Sequence, residues 1–321
     1  MLARVLLVVV AFCAVFLGIW MAGVADAPSV EDLPRACALI LDNGERFGMG
    51  FFLECEYEGC KDIWFVTAAH NLSNLGKQKG QEPAKLTLAA KSGQHTGAVK
   101  VVLACDDQAA IISASDDLAL IRVDRAILLS AQAEIAPVKI RIPLERRGVP
   151  DGLSRSGFLL KADRTRLGMG VGSDVFAVTS LKCDERALLS EFFPLLVRKG
   201  VLSLIHEASG ANTAEKSRMV VDVLSSPGNS GAPVFIPIRG LKALLRFYGT
   251  KPQFLGIVST MVSAEGRPQT FDLPLYEGDR QTGRVRGTQM LKENTGLSLI
   301  IPADHIAGLL TGHYGGYGRS K

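Results

Sequence analysis

The chain has 321 residues, of which 47% are hydrophobic, and its 36 Lys and Arg against 32 Asp and Glu give a net charge of +4. A chain of this length and composition can bury one large core or two modest ones. No basic stripe interleaved with aromatic residues occurs, so the composition gives no case for nucleic-acid binding. Aromatic residues make up 7% and glycines number 33, which favours many short strands joined by tight turns.

The N-terminus carries an uncharged, mostly apolar run, residues 5–24, that follows the single charged residue Arg4. A run of about 20 such residues predicts an export signal or a membrane anchor, and residues 1–27 are therefore set apart from the fold. Ala25-Asp26-Ala27 has the small-x-small pattern of a cleavage site, although the Pro28 that follows is unfavourable, and Gly23-Val24-Ala25 is another candidate. Cleavage and retention as an anchor both stay open. In either case Arg4 stays inside and the rest of the chain lies across the membrane.

Five cysteines follow this run, an odd number that forbids complete internal pairing: Cys37, Cys55, Cys60, Cys105 and Cys183. Cys55 and Cys60 flank a predicted hairpin turn, so we expect a disulfide across it. No Cys-x-x-Cys occurs and no histidine lies near these cysteines, which argues against a bound metal. We expect no metal and no cofactor.

The first half, residues 28–130, reads as short apolar runs separated by turn signals. The first run ends at Asp42-Asn43-Gly44, a strong hairpin signal. About six strands at this spacing predict a small antiparallel barrel. The predicted strands lie at 37–41, 46–53, 63–67, 85–89, 98–103, 109–112 and 118–123.

The second half, residues 131–311, repeats the pattern and predicts a second barrel. Its strands are predicted at 173–178, 201–205, 219–224, 232–236, 254–260 and 297–301. A helix is predicted from Pro302 to about Leu310, because Pro302 stands at its start and Gly312 lies just beyond its end. The glycine-rich residues 312–321 are expected to stay unfolded.

One long segment of the second half, residues 262–295, shows no clear strand pattern. Connections of that length are uncommon and usually functional or mobile. We therefore expect a functional or mobile segment there.

Three motifs carry chemistry: WFVTAAH at 64–70, SDDLALI at 115–121 and SPGNSGAPVF at 226–235. Taken alone, the Gly-Asn-Ser-Gly of the third motif also suits a plain turn between strands. A serine hydroxyl is a weak nucleophile that needs an adjacent base, and a histidine base needs a carboxylate to hold its tautomer. The three motifs in this order resemble those of the chymotrypsin-like serine proteases.

That resemblance implies Ser230 as nucleophile, His70 as general base and then acid, and Asp117 as the orienting carboxylate. Asp116 is the rival, but in the family the aspartate directly precedes the strand, which selects Asp117. On strand alternation Asp116 points away from Asp117 and is expected to be solvated. The family's oxyanion hole implies the backbone amides of Gly228 and Ser230.

An α/β-hydrolase nucleophile elbow is excluded. That motif needs a glycine two residues after the serine and a chain order of serine, acid, histidine. Here Ala232 stands at that position and both partners precede Ser230.

Other residues indicate the bacterial HtrA/Deg branch of this family, without its PDZ domain. Residues 48–51 (GMGF) and 296–306 (GLSLIIPADHI) resemble its strand before the histidine and the end of its protease domain. Asn71 stands where animal digestive proteases have a cysteine, and Asn229 where they have an aspartate that pairs with a newly cut N-terminus. We therefore expect activity without proteolytic activation.

The resemblance also implies a substrate-binding strand that includes Ser259, Thr260 and Met261, with Leu224 near the floor of the primary pocket. No acidic residue stands at Leu224, so a preference for Lys or Arg before the cleaved bond is not expected. We expect a small or medium apolar residue there.

The sequence thus predicts an all-β protein of two six-stranded antiparallel barrels with a short C-terminal helix. The implied function is that of an exported serine endopeptidase acting on proteins or peptides. It would be periplasmic or secreted, with possible anchoring in the inner membrane through residues 5–24. Two alternatives stay open: a catalytically silent binding module of the same fold, and an esterase-like hydrolase.

Overall fold

The computed structural model of the chain describes residues 30–42, 45–72, 84–94, 96–105, 109–141, 158, 160–161, 164–165, 168–180, 193–206, 218–223, 228–237, 252–277 and 280–317. For residues 42, 45–47, 263–277, 280–294 and 315–317 it describes the backbone. The predicted all-β class with a short C-terminal helix is confirmed.

Seven strands of the first half and one strand from the start of the second half form one curled sheet, β1 (Cys37–Asp42), β2 (Glu45–Tyr57), β3 (Cys60–Ala68), β4 (Ala84–Lys91), β5 (Ala98–Cys105), β6 (Ala110–Ser113), β7 (Leu118–Val123) and β8 (Val138–Arg141). Their order is β5-β4-β1-β2-β3-β7-β6, and β8 pairs with β2 in parallel. The prediction of a closed first barrel is wrong for the described residues. Closure requires the two end strands of a sheet to pair, whereas β6 pairs only with β7 and β5 only with β4.

Six strands of the second half form a closed barrel, β9 (Asp174–Ser180), β10 (Leu195–His206), β11 (Arg218–Asp222), β12 (Pro233–Ile236), β13 (Gln253–Glu277) and β14 (Arg280–Pro302). Every neighbouring pair is antiparallel. The second barrel is therefore as predicted.

Alternation along β7 gives the first sheet two buried faces. Leu118 and Leu120 belong to a core shared with the second barrel, whereas Ala119, Ile121 and Val123 belong to a core within the first half. The shared core contains aromatic rings from both halves, since the Phe51 and Phe254 centroids lie 4.9 Å apart. Burial of this shared apolar surface holds the two halves together.

The predicted strandless segment 262–295 is instead a long antiparallel hairpin. Strands β13 and β14 pair from Gly256 opposite Pro302 as far as Glu277 opposite Arg280, with several register shifts. The sequence pattern is weak because this ribbon pairs with no third strand beyond the barrel in the described residues, so neither face imposes a strict alternation.

Two α-helices are described, α1 (Arg125–Ser130) and α2 (Ala303–Tyr317). Helix α2 was predicted to end near Leu310, but it continues through Gly312. Tertiary contacts explain the extension, because Tyr314 is 9% exposed and its ring stacks on Tyr57 at 4.9 Å. Its hydroxyl donates to Asp62 Oδ2 at 2.7 Å and accepts from Trp64 Nε1 at 3.1 Å.

The Tyr314→Phe variant is expected to lower the free energy of unfolding by about 1–3 kcal/mol, because it leaves the buried Trp64 indole N–H without its acceptor. Urea denaturation measures this loss. Tyr57→Phe is the matched control, since it keeps the stacked ring and removes a hydroxyl that lies outside this contact. Equal midpoints for the two variants would show that the Tyr314 hydroxyl does not hold the helix.

The predicted disulfide between Cys55 and Cys60 is wrong, since both are free thiols. The turn consists of Glu58 and Gly59, both with positive φ, so Cys60 pairs with Tyr57 and Cys55 with Asp62. The two cysteines are therefore diagonal neighbours. Such positions lie about 7–8 Å apart, whereas a disulfide needs Cβ atoms about 3.5–4.5 Å apart.

The predicted signal or anchor, residues 1–27, lies outside the described residues. In the part of the chain that the structure covers, no helix combines the length and the hydropathy needed to cross a membrane.

Candidate active site

His70 and Asp117 are brought together by the pairing of β3 with β7. Ala68 lies opposite Leu118 in that pair, so the chain segments that leave the two strands emerge side by side. His70 lies in a short 3-10 helix (Ala69–Leu72), and Asp117 ends the turn before β7. His70 Nδ1 lies 3.0 Å from each carboxylate oxygen of Asp117, as the motifs predict.

The backbone holds Asp117 in this orientation. Asp117 has φ +55°, a left-handed conformation that aspartate tolerates better than most residues. Its carbonyl oxygen accepts from Ala69 N at 3.0 Å, and its Oδ1 accepts from His70 N at 3.0 Å. The carboxylate is thus tied to both the backbone and the ring of the same histidine.

The second barrel contributes Ser259 to the same carboxylate. Ser259 on β13 is 7% exposed, and its hydroxyl donates to Asp117 Oδ2 at 2.6 Å. A carboxylate with donors on both oxygens is restrained in position, which in turn restrains the imidazole.

These contacts shift two pKa values in opposite directions. The hydrogen bond to Asp117 raises the pKa of His70 above its usual range, although partial burial opposes it. Burial raises the pKa of Asp117, but the hydrogen bonds from His70 and Ser259 outweigh it and leave that pKa below its usual value. At neutral pH Asp117 is therefore ionised and supports a proton on Nδ1 of His70.

The raised pKa of His70 predicts the pH profile of any reaction in which this ring is the base. Only the neutral ring accepts a proton, so the rate should rise with pH and reach half its plateau above the ordinary histidine pKa. We expect this for the acylation rate of a fluorophosphonate probe, measured from about pH 5 to pH 9. An acid limb centred at or below the ordinary histidine value would contradict the pairing with Asp117.

Ser230 lies in a loop between the first sheet and the second-half barrel, and glycines make the conformation of this loop possible. Gly228 and Gly231 have φ of +85° and +89°, conformations that L side chains rarely adopt. Gly231 N donates to Val258 O at 2.7 Å, and Ser230 O accepts from Met49 N at 2.9 Å. The loop is thus hydrogen-bonded to a strand of each half.

Asn229, directly before Ser230, is 2% exposed and holds the loop from inside the second barrel. Its Oδ1 accepts from Ser180 N at 3.1 Å, and its carbonyl oxygen accepts from Ala232 N at 3.0 Å. The side chain that precedes the predicted nucleophile is therefore satisfied by the backbone of β9.

Asp116 was predicted to be solvated, and that prediction is wrong. Its side chain is only 17% exposed; Oδ1 lies 3.1 Å from His305 Nδ1, and Oδ2 accepts from Ser113 Oγ at 2.6 Å. Helix α2 brings His305 to this position, which strand alternation cannot reveal. Asp116 therefore forms a second carboxylate–histidine pair, with His305, beside the pair of Asp117 with His70.

The predicted substrate-binding residues have different surroundings. Leu224 lies outside the described residues. Ser259 directs its hydroxyl at Asp117, whereas Thr260 is exposed and Met261 is half-buried opposite Ser298 on β14. Beyond Val258, β13 pairs with β14 on one edge and with no described strand on the other.

Sequence reasoning missed one residue of this region, Asn71. It is 3% exposed, and its Nδ2 donates to Ser230 O and to Thr67 Oγ1, each at 2.9 Å. Its position directly after His70 was the only available signal, and a single polar residue there does not predict a contact between the two halves.

No group of three or more His, Cys, Asp or Glu side chains that could hold a metal ion occurs in the ranges that the structure describes.

No protein-family model and no curated protein sequence matches the chain. Among solved structures it is similar to Deg5, with 14% identity, a TM-score of 0.41 and coverage of 72% of this chain and 81% of that one. It is also similar to the HtrA-type protease AlgW with tripeptide, at 14% identity, TM-score 0.43 and 88% coverage, and it spans 61% of that chain. A third similar structure is the serine protease domain of Sesbania mosaic virus polyprotein, at 12% identity and a TM-score of 0.40, with coverage of 88% of this chain and 95% of that one. What the site does is inferred from the contacts above.

Proposed function

We propose that the chain is a serine endopeptidase that cleaves peptide bonds through an acyl-enzyme intermediate. The observation that carries the proposal is the hydrogen-bonded His70–Asp117 pair. The short 3-10 helix that contains His70 also contains Asn71, whose side chain donates to the backbone carbonyl of Ser230. An imidazole whose Nδ1 donates to a carboxylate has its basic lone pair on Nε2, the arrangement that a serine nucleophile requires.

In the proposed reaction Ser230 Oγ attacks the carbonyl carbon of the scissile bond while His70 Nε2 takes its proton. The carbonyl oxygen becomes an oxyanion, which the backbone N–H groups of Gly228 and Ser230 would stabilise. His70 then gives the proton to the leaving amine, and an acyl group remains on Ser230. Water, deprotonated by His70, releases the second product and restores the serine.

The open edge of β13 supports a peptide substrate. Because Thr260 and Met261 pair with β14 on one side only in the described residues, an extended peptide can add to the other edge as a strand. Backbone pairing of this kind would hold the scissile bond against Ser230. The half-buried Met261 favours a small or medium apolar side chain before the cleaved bond, and Leu224 is proposed to line the floor of that pocket.

Export is part of the proposal and rests on residues 1–27. The apolar run at 5–24 after Arg4 would direct the rest of the chain to the periplasm or the outside of the cell, by a cleaved signal or as an inner-membrane anchor. Fractionation of cells that express the chain, with protease added to intact cells or spheroplasts, separates these locations.

Activity without proteolytic activation is also proposed. The contact of Asn229 with Ser180 supports it, because this contact holds the nucleophile loop without a newly cut N-terminus. We therefore expect a chain whose intact mass shows no proteolytic cleavage to react with a fluorophosphonate probe.

The test is reaction of the folded chain with a fluorophosphonate probe, followed by peptide mapping of the adduct. The expected result is one phosphonyl group on the peptide that carries Ser230, and none on heat-denatured protein. Absence of reaction in a folded chain would favour the catalytically silent binding module. Reaction together with hydrolysis of small esters but of no protein or peptide would favour the esterase-like alternative.

A further inference from the structure

A closed ring of hydrogen bonds joins the first sheet to the backbone of Ser230. Ser230 O accepts from Met49 N and from Asn71 Nδ2, each at 2.9 Å. The same Nδ2 donates to Thr67 Oγ1 at 2.9 Å, and Thr67 Oγ1 donates to Met49 O at 2.6 Å. Each group of the ring is buried or half-buried, so water does not compete freely for these bonds.

Hydrogen-bonding capacity determines the orientation of the Asn71 amide. The Ser230 carbonyl oxygen can only accept, so the NH₂ group of Asn71 must face it. The proton of the Thr67 hydroxyl is used on Met49 O, so Thr67 Oγ1 must accept the second proton of that NH₂ group. Both protons of the Asn71 amide are therefore assigned.

Packing also holds this amide in place. A Cβ added at Gly48 would lie 2.7 Å from Cγ, Nδ2 and Oδ1 of Asn71, closer than real Cβ contacts allow. The absence of a side chain at residue 48 is therefore what leaves room for the Asn71 amide. Displacement of the amide would lengthen its bonds to Thr67 Oγ1 and Ser230 O.

We propose that Asn71 is a positioning residue that sets the distance between the base and the nucleophile. His70 and Asn71 are adjacent in one short 3-10 helix (Ala69–Leu72). His70 contacts Asp117, and Asn71 donates to the main-chain carbonyl of Ser230. One turn of backbone therefore links the proposed base to the proposed nucleophile. Asn71 acts through the Ser230 carbonyl and does not touch substrate. The proposal rests on the proposed function.

The Asn71→Asp variant tests it, because a carboxylate has the shape of the amide but no donor when ionised. It places an acceptor against the Ser230 carbonyl, and the loop should move away from His70. In the full-length chain we expect the maximal rate constant for fluorophosphonate acylation to fall about 100-fold, since misplacement by about 1 Å can cost that much. The reversible binding constant of the probe should stay close to that of the parent, because binding groups are retained.

Asn71→Ser is the second variant. It is smaller but keeps one hydroxyl donor, so a partial recovery of the acylation rate constant relative to Asn71→Asp is expected. Ser92→Ala is the control for loss of a buried polar group directly after β4 of the same half, since Ser92 is 1% exposed and its hydroxyl accepts from Gln94 N. The control should change urea stability without changing the acylation rate constant.

Hydrogen exchange of the peptide that covers residues 228–236 gives a readout independent of catalysis. Asn71→Asp should speed exchange of the Gly231 and Ala232 amides, and Ser92→Ala should not. If the parent fails to react with the probe, the proposed function fails, and exchange alone decides whether Asn71 holds the loop. An acylation rate constant and loop exchange equal to those of the parent in both Asn71 variants would overturn the proposal.

Discussion

Replacement of Asp117 by asparagine is expected to lower the rate constant of fluorophosphonate acylation about 10⁴-fold. The asparagine NH₂ group would face Nδ1 of His70 and turn it into an acceptor, which moves the ring proton to Nε2. The proton would then point at Ser230, so the ring could not act as its base. The His70 backbone N–H can only donate, so it keeps the amide oxygen at the Oδ1 position. The NH₂ group then takes the Oδ2 position, 3.0 Å from Nδ1 and beside the Ser259 hydroxyl, which can accept.

Asp116→Asn is the matched control because it makes the same chemical change at the adjacent residue. Asp116 pairs with His305 and Ser113, so its loss should affect stability while acylation remains close to that of the parent. Both variants are compared by acylation kinetics and by urea denaturation. Equal loss of acylation in the two variants, with folding intact, would contradict the assignment of Asp117 as the orienting carboxylate.

Gly231→Ala is expected to have the largest effect on stability among single substitutions in the nucleophile loop. Its φ is +89°, and an added Cβ would overlap the Met49 carbonyl oxygen and lie 2.6 Å from Thr67 Oγ1. Both neighbours belong to the hydrogen-bonded ring around Ser230 and cannot yield cheaply. We expect a loss of at least about 4 kcal/mol in the free energy of unfolding, in the range that strain and overpacking together produce.

Gly172→Ala separates the two causes of this loss. Gly172 has φ +90°, but a Cβ there meets nothing within 4 Å. It should cost only the conformational strain, about 1–2 kcal/mol. Urea denaturation of both variants measures the difference. A difference near zero would mean that the contact of Gly231 with Met49 relaxes freely.

Local signals predicted the parts of the fold that depend on neighbouring residues. The hairpin signal in the sequence after Leu41 predicts pairing of the strands on either side, and Asp42 lies opposite Glu45. The alternation of β7 is confirmed because its two faces contact two different cores. Periodicity is reliable where each face of a strand meets a different environment, since burial then selects the residues on that face.

Predictions failed where a distant element decides the outcome. The disulfide failed because a two-residue turn at Glu58 and Gly59 places Cys55 opposite Asp62. Helix α2 runs past its glycines because Tyr314 packs on the first sheet. Glycine disfavours a helix by about 1 kcal/mol, and a buried tyrosine with two hydrogen bonds outweighs that cost.

By itself the sequence determined which residue types are available for the chemistry: a serine between glycines, a histidine at a strand end and an aspartate before a strand. These are local features, because each depends on a few consecutive residues and the turn they form. Only the tertiary structure decided which groups meet. It directed Ser259 to Asp117, paired Asp116 with His305 and placed Asn71 against the Ser230 carbonyl. Such contacts join residues more than 100 positions apart in the sequence, and they form because the shared core holds the two halves at a distance where hydrogen bonds replace water.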